Sequence, residues 1–307
     1  MNRVHIIRSL ANYLVLVRLY SIVDLLLIFL LARAVSIGNQ IFNYNDIIFG
    51  GLYLLLWLFL TLDLEAKHKH TYRAVISNKI PYLLLFVATV ISAYYNIYSL
   101  IFIILIWITT NTYIKKEESK IAGSACFISR GLYETSIFLF GISLFIGLME
   151  MTLTHFLVSL IVFLLYASRN LIGDIRDVAF DKNTFVVRYG SKMSYLLIIL
   201  MYIISILLML YIFQNFLIVI PIIIFVIILL FYDNGYNLHR CSIILTSFTS
   251  VNIISYLFSW DLFYINILFL VCISNLILYN SISRKSNPKD TVFSEVKFLF
   301  LRDKQRK

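Results

Sequence analysis

The chain is 307 residues long, 61% apolar and only 14% charged, with a mean hydropathy of +0.90. An ordinary soluble domain is about 45–50% apolar and cannot hide this much hydrocarbon from water, which excludes soluble enzymes, nucleic-acid-binding domains and secreted disulfide scaffolds. The net charge of +10 does not point to nucleic acid either, because Lys and Arg collect in short loops and in the C-terminal tail, as the positive-inside rule expects.

In chain order, apolar runs predict spans near 17–35, 46–62, 80–96, 97–114, 132–151, 155–173, 194–213, 215–232, 242–259 and 261–281. Each approaches the ~20 residues needed to cross a bilayer as a helix. The expected fold is an all-α polytopic transmembrane bundle of nine to ten spans over residues 1–281, followed by a basic tail at 282–307. Asn96, Gln214-Asn215 and Trp260-Asp261 mark hairpin breaks, and Pro221 predicts a kink inside the eighth span. The run at 242–259 carries Thr246, Ser247, Thr249, Ser250, Asn252 and Ser255, which makes it the most polar span. Asp24 lies within the first span and needs a partner there.

One alternating set of loops is charged: Asp63–Lys79, Lys115–Lys120, Arg169–Lys192, Asp233–Arg240 and the tail Arg284–Lys307. A cytoplasmic N-terminus with ten spans puts all of them inside. In the tail, Val292, Phe293, Val296, Leu299 and Phe300 follow helical spacing, consistent with an amphipathic helix on the inner leaflet or with a frayed basic end. Cys126, Cys241 and Cys272 show no metal spacing and read as packed or lipid-adjacent thiols.

The informative segment closes the sixth span: Arg169-Asn-Leu-Ile-Gly-Asp-Ile-Arg-Asp-Val-Ala-Phe-Asp181. On a continuous helix, Asn170, Asp174, Asp177 and Asp181 fall within a stripe about 60° wide. Such a stripe is either a metal and phosphate site or a solvated acidic helix end, neutralised by Arg169, Arg176 and Lys182. Carboxylates completed by substrate phosphates are what Mg2+ selects.

This segment, with Lys182-Asn-Thr-Phe-Val-Val-Arg-Tyr-Gly190, resembles the second aspartate-rich motif of UbiA-type intramembrane prenyltransferases. Phe180 stands where that family has Gly, and the loop before Thr184 is shorter. The family's first motif resembles Asp63-Leu-Glu-Ala-Lys67 followed by Arg73-Ala-Val-Ile-Ser77, but Phe59, Leu60 and Lys67 replace its Asn and two of its Asp residues. The resemblance implies Mg2+-dependent transfer of a prenyl group from a prenyl diphosphate to an aromatic or similar acceptor, as in quinone biosynthesis. It implies Asp174, Asp177 and Asp181 as metal ligands and catalytic residues. Asn170, Asp63, Lys67, Arg73, Lys182 and Arg188 would bind substrate, with Lys67 and Arg73 contacting the diphosphate where the family uses a second metal; as an orientation-setting loop residue, Lys67 fits equally well. The setting is a prokaryotic cytoplasmic membrane, with lipids as surroundings. Alternatives are a catalytically inactive relative, a lipid or small-molecule transporter, and CDP-alcohol phosphotransferases, of whose motif only Asp177-x-x-x-Asp181 is present.

Overall fold

The computed structural model describes residues 22–68, 79–178, 181–231 and 235–259. Among them there is no strand; the helices are α1 (Ile22–Ile37), α2 (Tyr44–His68), α3 (Lys79–Tyr95), α4 (Leu100–Ile114), α5 (Lys120–Ser124), α6 (Cys126–Ile146), α7 (Leu153–Asp177), α8 (Phe185–Phe213), α9 (Phe216–Phe231) and α10 (Gly235–Phe258). All but the short α5 take the places of the first nine expected spans. The tenth span and the amphipathic pattern in the tail lie outside the described residues. Segments Tyr44–Leu64, Ile97–Ile114, Leu153–Asp177, Phe185–Phe213 and Cys241–Phe258 are long and apolar enough to cross a bilayer, while α3 and α9 are shorter apolar helices. The protein is an integral membrane protein of polytopic all-α type.

Burial follows from lipid as solvent. On α8, Ser194, Ile198, Met201, Ser205 and Met209 face the interior, whereas Leu196, Leu200, Ile203, Leu207 and Tyr211 are exposed. A ridge of exposed leucines would be a liability in water and is the natural outer face in hydrocarbon. Much of the polar character of α10 is resolved on the helix itself: Ser242, Thr249 and Ser250 are buried, and each donates to a carbonyl one turn back. Thr249 Oγ1 donates to the Leu245 carbonyl at 2.8 Å and Ser250 Oγ to the Thr246 carbonyl at 3.1 Å. Such back-bonding lets a hydroxyl enter an apolar span without a partner on another helix.

Two of the expected hairpin breaks, at Asn96 and Gln214-Asn215, fall where polar residues predict them, and Trp260-Asp261 lies outside the described residues. Asn96 Oδ1 accepts the Tyr98 amide at 3.0 Å, and its Nδ2 donates to the Ser143 carbonyl at 2.6 Å, tying the α3–α4 turn to the end of α6. Gln214 adopts a left-handed conformation (φ 50°) and donates its amide to the Leu210 carbonyl at 3.0 Å. Between α1 and α2, the wholly buried Arg33 donates through Nε to Asp46 at 2.7 Å and through Nη2 to the Gln40 carbonyl at 2.7 Å, with its guanidinium 3.9 Å from the Phe42 ring centre. α9 continues as helix through Pro221, and the break in helical backbone falls in α8, at Gly190 (φ 83°, ψ 163°).

α6 and α10 each pack against both α1 and α7, so α1 and α7 face one another across a four-helix ring. Close approach within this frame needs small residues: a Cβ at Gly141 of α6 would collide with the Tyr53 hydroxyl and lie 2.9 Å from Ala32 Cβ. Across the ring, Arg169 Nη2 of α7 donates to Asp24 Oδ2 of α1 at 2.7 Å, which supplies the partner Asp24 requires. Arg130 and Glu134 form a second pair one turn apart on α6, at 2.5 Å. Ionised groups at this depth are tolerated because they pair inside the bundle and not toward lipid.

Candidate active site

α7 runs helical to Asp177, which places Asn170 and Asp174 one turn apart on a single face at its end. That face meets the start of α6. The Cys126 thiol donates to Asp174 Oδ2 at 3.0 Å, and Asn170 Nδ2 approaches the Cys126 carbonyl at 3.5 Å; both Cys126 and Asp174 are buried.

Asp181 lies beyond the helix, yet its amide still donates to the Asp177 carbonyl at 3.1 Å, so the chain keeps one more helical link. Its Oδ1 stands 3.3 Å from Lys116 Nζ, with the two side chains 8% and 17% exposed. Lys116 belongs to the short turn at Lys115–Glu117 after α4. Burial works against its charge, but Tyr113, Asp181 and Asp174 outweigh it and hold the ammonium above the ordinary lysine range. Lys116 thus pairs with Asp181 and lies within the field of Asp174. The segment around it is locked by Gly123 of α5, where a Cβ would sit 2.5 Å from both Asn183 Cβ and the Lys116 carbonyl oxygen.

The remaining residues of the expected site are distributed differently. Asp177 takes a two-pronged bond from its neighbour Arg176, Nε to Oδ1 and Nη2 to Oδ2, each at 2.6 Å. Arg188 donates through Nη1 to Ser124 Oγ at 2.7 Å and to the Lys120 carbonyl at 3.2 Å, joining α8 to both ends of α5. Lys182 is exposed. Asp63 is fully buried near the end of α2, while Phe59 and Leu60 are core residues, Phe59 meeting the Tyr82 ring edge-on at 6.0 Å between centres. The Lys67 side chain and Arg73 lie outside the described residues.

Two members of the cluster were not singled out from sequence. Lys116 reads there only as part of a basic loop, and Cys126 as a packed thiol. The one signal for Lys116 is topological, since loops after even-numbered spans share a membrane face. Next to Asn170 in the i,i+3 sense, Gly173 is covered by the His239 ring of α10, which lies 3.5 Å from where a Cβ would stand.

Among the described residues no three His, Cys, Asp or Glu side chains converge as a ready-made metal cage. Two carboxylates against one ammonium leave a net negative cluster. That donor set fits a hard divalent cation that completes its shell with phosphate and water oxygens, the usual habit of Mg2+.

No protein-family model and no curated protein matches the sequence. Solved structures do match. A UbiA homologue from Archaeoglobus fulgidus bound to Cd2+ aligns at 18% identity and a TM-score of 0.59, covering 80% of this chain and 98% of that one. The Archaeoglobus fulgidus UbiA homologue bound to DMAPP and Mg2+ aligns at 18% identity and 0.53, with the same coverage. An apo UbiA homologue from Aeropyrum pernix K1 aligns at 14% identity and 0.53, covering 84% and 97%. Nearly the whole length of each is matched by this bundle, and the chain has the UbiA-type fold.

Proposed function

We propose that the protein is an intramembrane prenyltransferase, transferring a prenyl group from a prenyl diphosphate to an aromatic or similar lipophilic acceptor. The observation that carries this reading is the Asp174–Lys116–Asp181 cluster at the end of α7, in a fold shared with a homologue bound to DMAPP and Mg2+.

In this reading Asp174 and Asp181 would hold Mg2+, with Asp177 as the outer, solvent-side member of the set. The bound ion would neutralise charge that develops on the departing diphosphate. Lys116, a compact and permanently charged donor, binds a diphosphate oxygen. Asn170 and Asp63 complete the polar end of the pocket, and Lys67, Arg73, Lys182 and Arg188 surround its entrance. The bond between the allylic carbon and the diphosphate oxygen breaks with its electron pair going to the leaving group. The acceptor supplies the pair for the new bond and gives up a proton. The apolar interior beneath the cluster receives the isoprenoid tail and keeps water from the electron-poor carbon. The N-terminus and the charged loops face the cytoplasm, so the diphosphate arrives from that side.

Burial of Phe59 and Leu60 where a first aspartate-rich motif would place ligands favours a second reading, a non-catalytic relative that binds diphosphates without turnover. Diphosphate release by lipid-reconstituted protein separates the two. Wild type should release diphosphate with Mg2+ and an acceptor panel of aromatic acids and naphthoates, and should stop with chelator or in Asp174→Asn plus Asp181→Asn. Binding without release under every acceptor establishes the second reading, and absence of binding removes both.

A further inference from the structure

Cys126 is the first residue of α6 and touches the site twice. Its thiol donates to Asp174 Oδ2 at 3.0 Å, and its carbonyl oxygen lies 3.5 Å from Asn170 Nδ2. One residue thus meets both polar side chains that α7 presents on this face. It does so from a rigid position, because Cys126 is fully buried and the preceding α5 is wedged through Gly123 against Asn183 and the Lys116 carbonyl. A buried carboxylate on a helix end has two χ rotations to choose from, and its neighbours act on it only through their charge, Lys116 attracting it and Asp181 repelling it. Among the described residues the thiol is the one directed hydrogen bond to the Asp174 carboxylate; it fixes which oxygen is occupied and leaves Oδ1 for another partner.

We infer that Cys126 is the positioning residue of the site: its S–H bond to Asp174 Oδ2 presents Asp174 Oδ1, single-pronged, toward the space shared with Asp181 and Lys116. This rests on the prenyl-transfer reading for what occupies that space, a divalent cation carrying substrate phosphate. Groups that orient a ligand without touching the metal typically change metal affinity by about 10–100-fold when removed.

The test uses Mn2+ as a paramagnetic probe and inorganic pyrophosphate as the phosphate donor, with free Mn2+ read by electron paramagnetic resonance. Cys126→Ala should weaken Mn2+ binding by about tenfold in protein that melts somewhat earlier but is still fully folded at the assay temperature. Cys126→Ser, which keeps a donor of similar reach, should stay within about threefold, since the orienting bond survives. A second measurement is independent of metal. In protein carrying Cys241→Ser and Cys272→Ser, the infrared S–H stretch of Cys126 should lie at the low frequency of a bonded thiol and rise in Asp174→Asn. Folded Cys126→Ala that binds Mn2+ as wild type does, or an S–H band indifferent to Asp174→Asn, overturns the positioning role alone. Wild type that binds no Mn2+ with pyrophosphate overturns the prenyl-transfer reading, and the positioning role with it.

Discussion

Replacing Lys116 by Met keeps the length and apolar stem of the side chain and deletes its charge. At an effective dielectric of about 20, unit charges 3.3 Å apart attract by about 5 kcal/mol before desolvation is counted. Breaking a buried pair by removing one partner has a net effect of about 3–5 kcal/mol, because the orphaned carboxylates stay buried. A divalent cation competes with this ammonium for Asp181, so deleting the ammonium relieves the competition. With about 1.4 kcal/mol per tenfold, even a third of the smaller figure raises Mn2+ affinity without phosphate by about fivefold or more. Pyrophosphate responds in the opposite sense: loss of a charge-assisted contact of about 1.5–3 kcal/mol weakens its binding by at least tenfold. Titrating Mn2+ by electron paramagnetic resonance, with and without pyrophosphate, reads both arms on one sample. Folded Lys116→Met protein that binds Mn2+ no better than wild type would refute the idea that Lys116 and the metal share Asp181.

Asp174→Asn should depress turnover at least about tenfold more than Asp177→Asn, because Asp177 is already engaged by Arg176 and 30% exposed; equal losses would place Asp177 inside the working cluster. Gly123→Ala drives a Cβ to 2.5 Å from the Lys116 carbonyl and Asn183. The backbone around Lys116 must move, and KM for the prenyl diphosphate should rise with an unfolding penalty of about 1–3 kcal/mol, measured by steady-state kinetics beside thermal denaturation. Arg33→Met leaves Asp46 buried without its guanidinium and should destabilise by about 3–5 kcal/mol. Arg33→Met with Asp46→Leu should recover at least half of that in detergent melts; a double variant as unstable as the single would contradict the pairing.

Hydropathy located the helices well because each span answers to one solvent, lipid, and to a length set by bilayer thickness. Even the hydroxyl-rich 242–259 segment obeyed it, since Thr249 and Ser250 satisfy themselves on their own helix. The aspartate stripe is described as helix as far as Asp177, where α7 ends, and Asp181 keeps only the backbone bond to Asp177 beyond it. Asp177, still on the helix, pairs with its neighbour Arg176, while Asp181, past the helix end, reaches a lysine 65 residues away. Asp24 announced that it needed a partner, but nothing local named Arg169. Lys116 and Cys126 escaped notice for the same reason: their meaning comes from which helices meet, and periodicity reports one helix at a time.

The pair that spans the ring also bears on how the protein is made. Asp24 is synthesised 145 residues before Arg169. At about 5–20 residues per second, roughly 7–30 s pass before its counter-ion emerges from the ribosome. Throughout that interval α1 carries a carboxylate without its eventual partner, which disfavours its release into lipid as a free helix. The nascent chain must shelter α1 against protein or water until α7 enters, and ring closure is then coupled to the arrival of the same helix that brings Asn170 and Asp174. A bundle truncated before α7 would lack both the Asn170–Asp174 face and the clasp to Asp24.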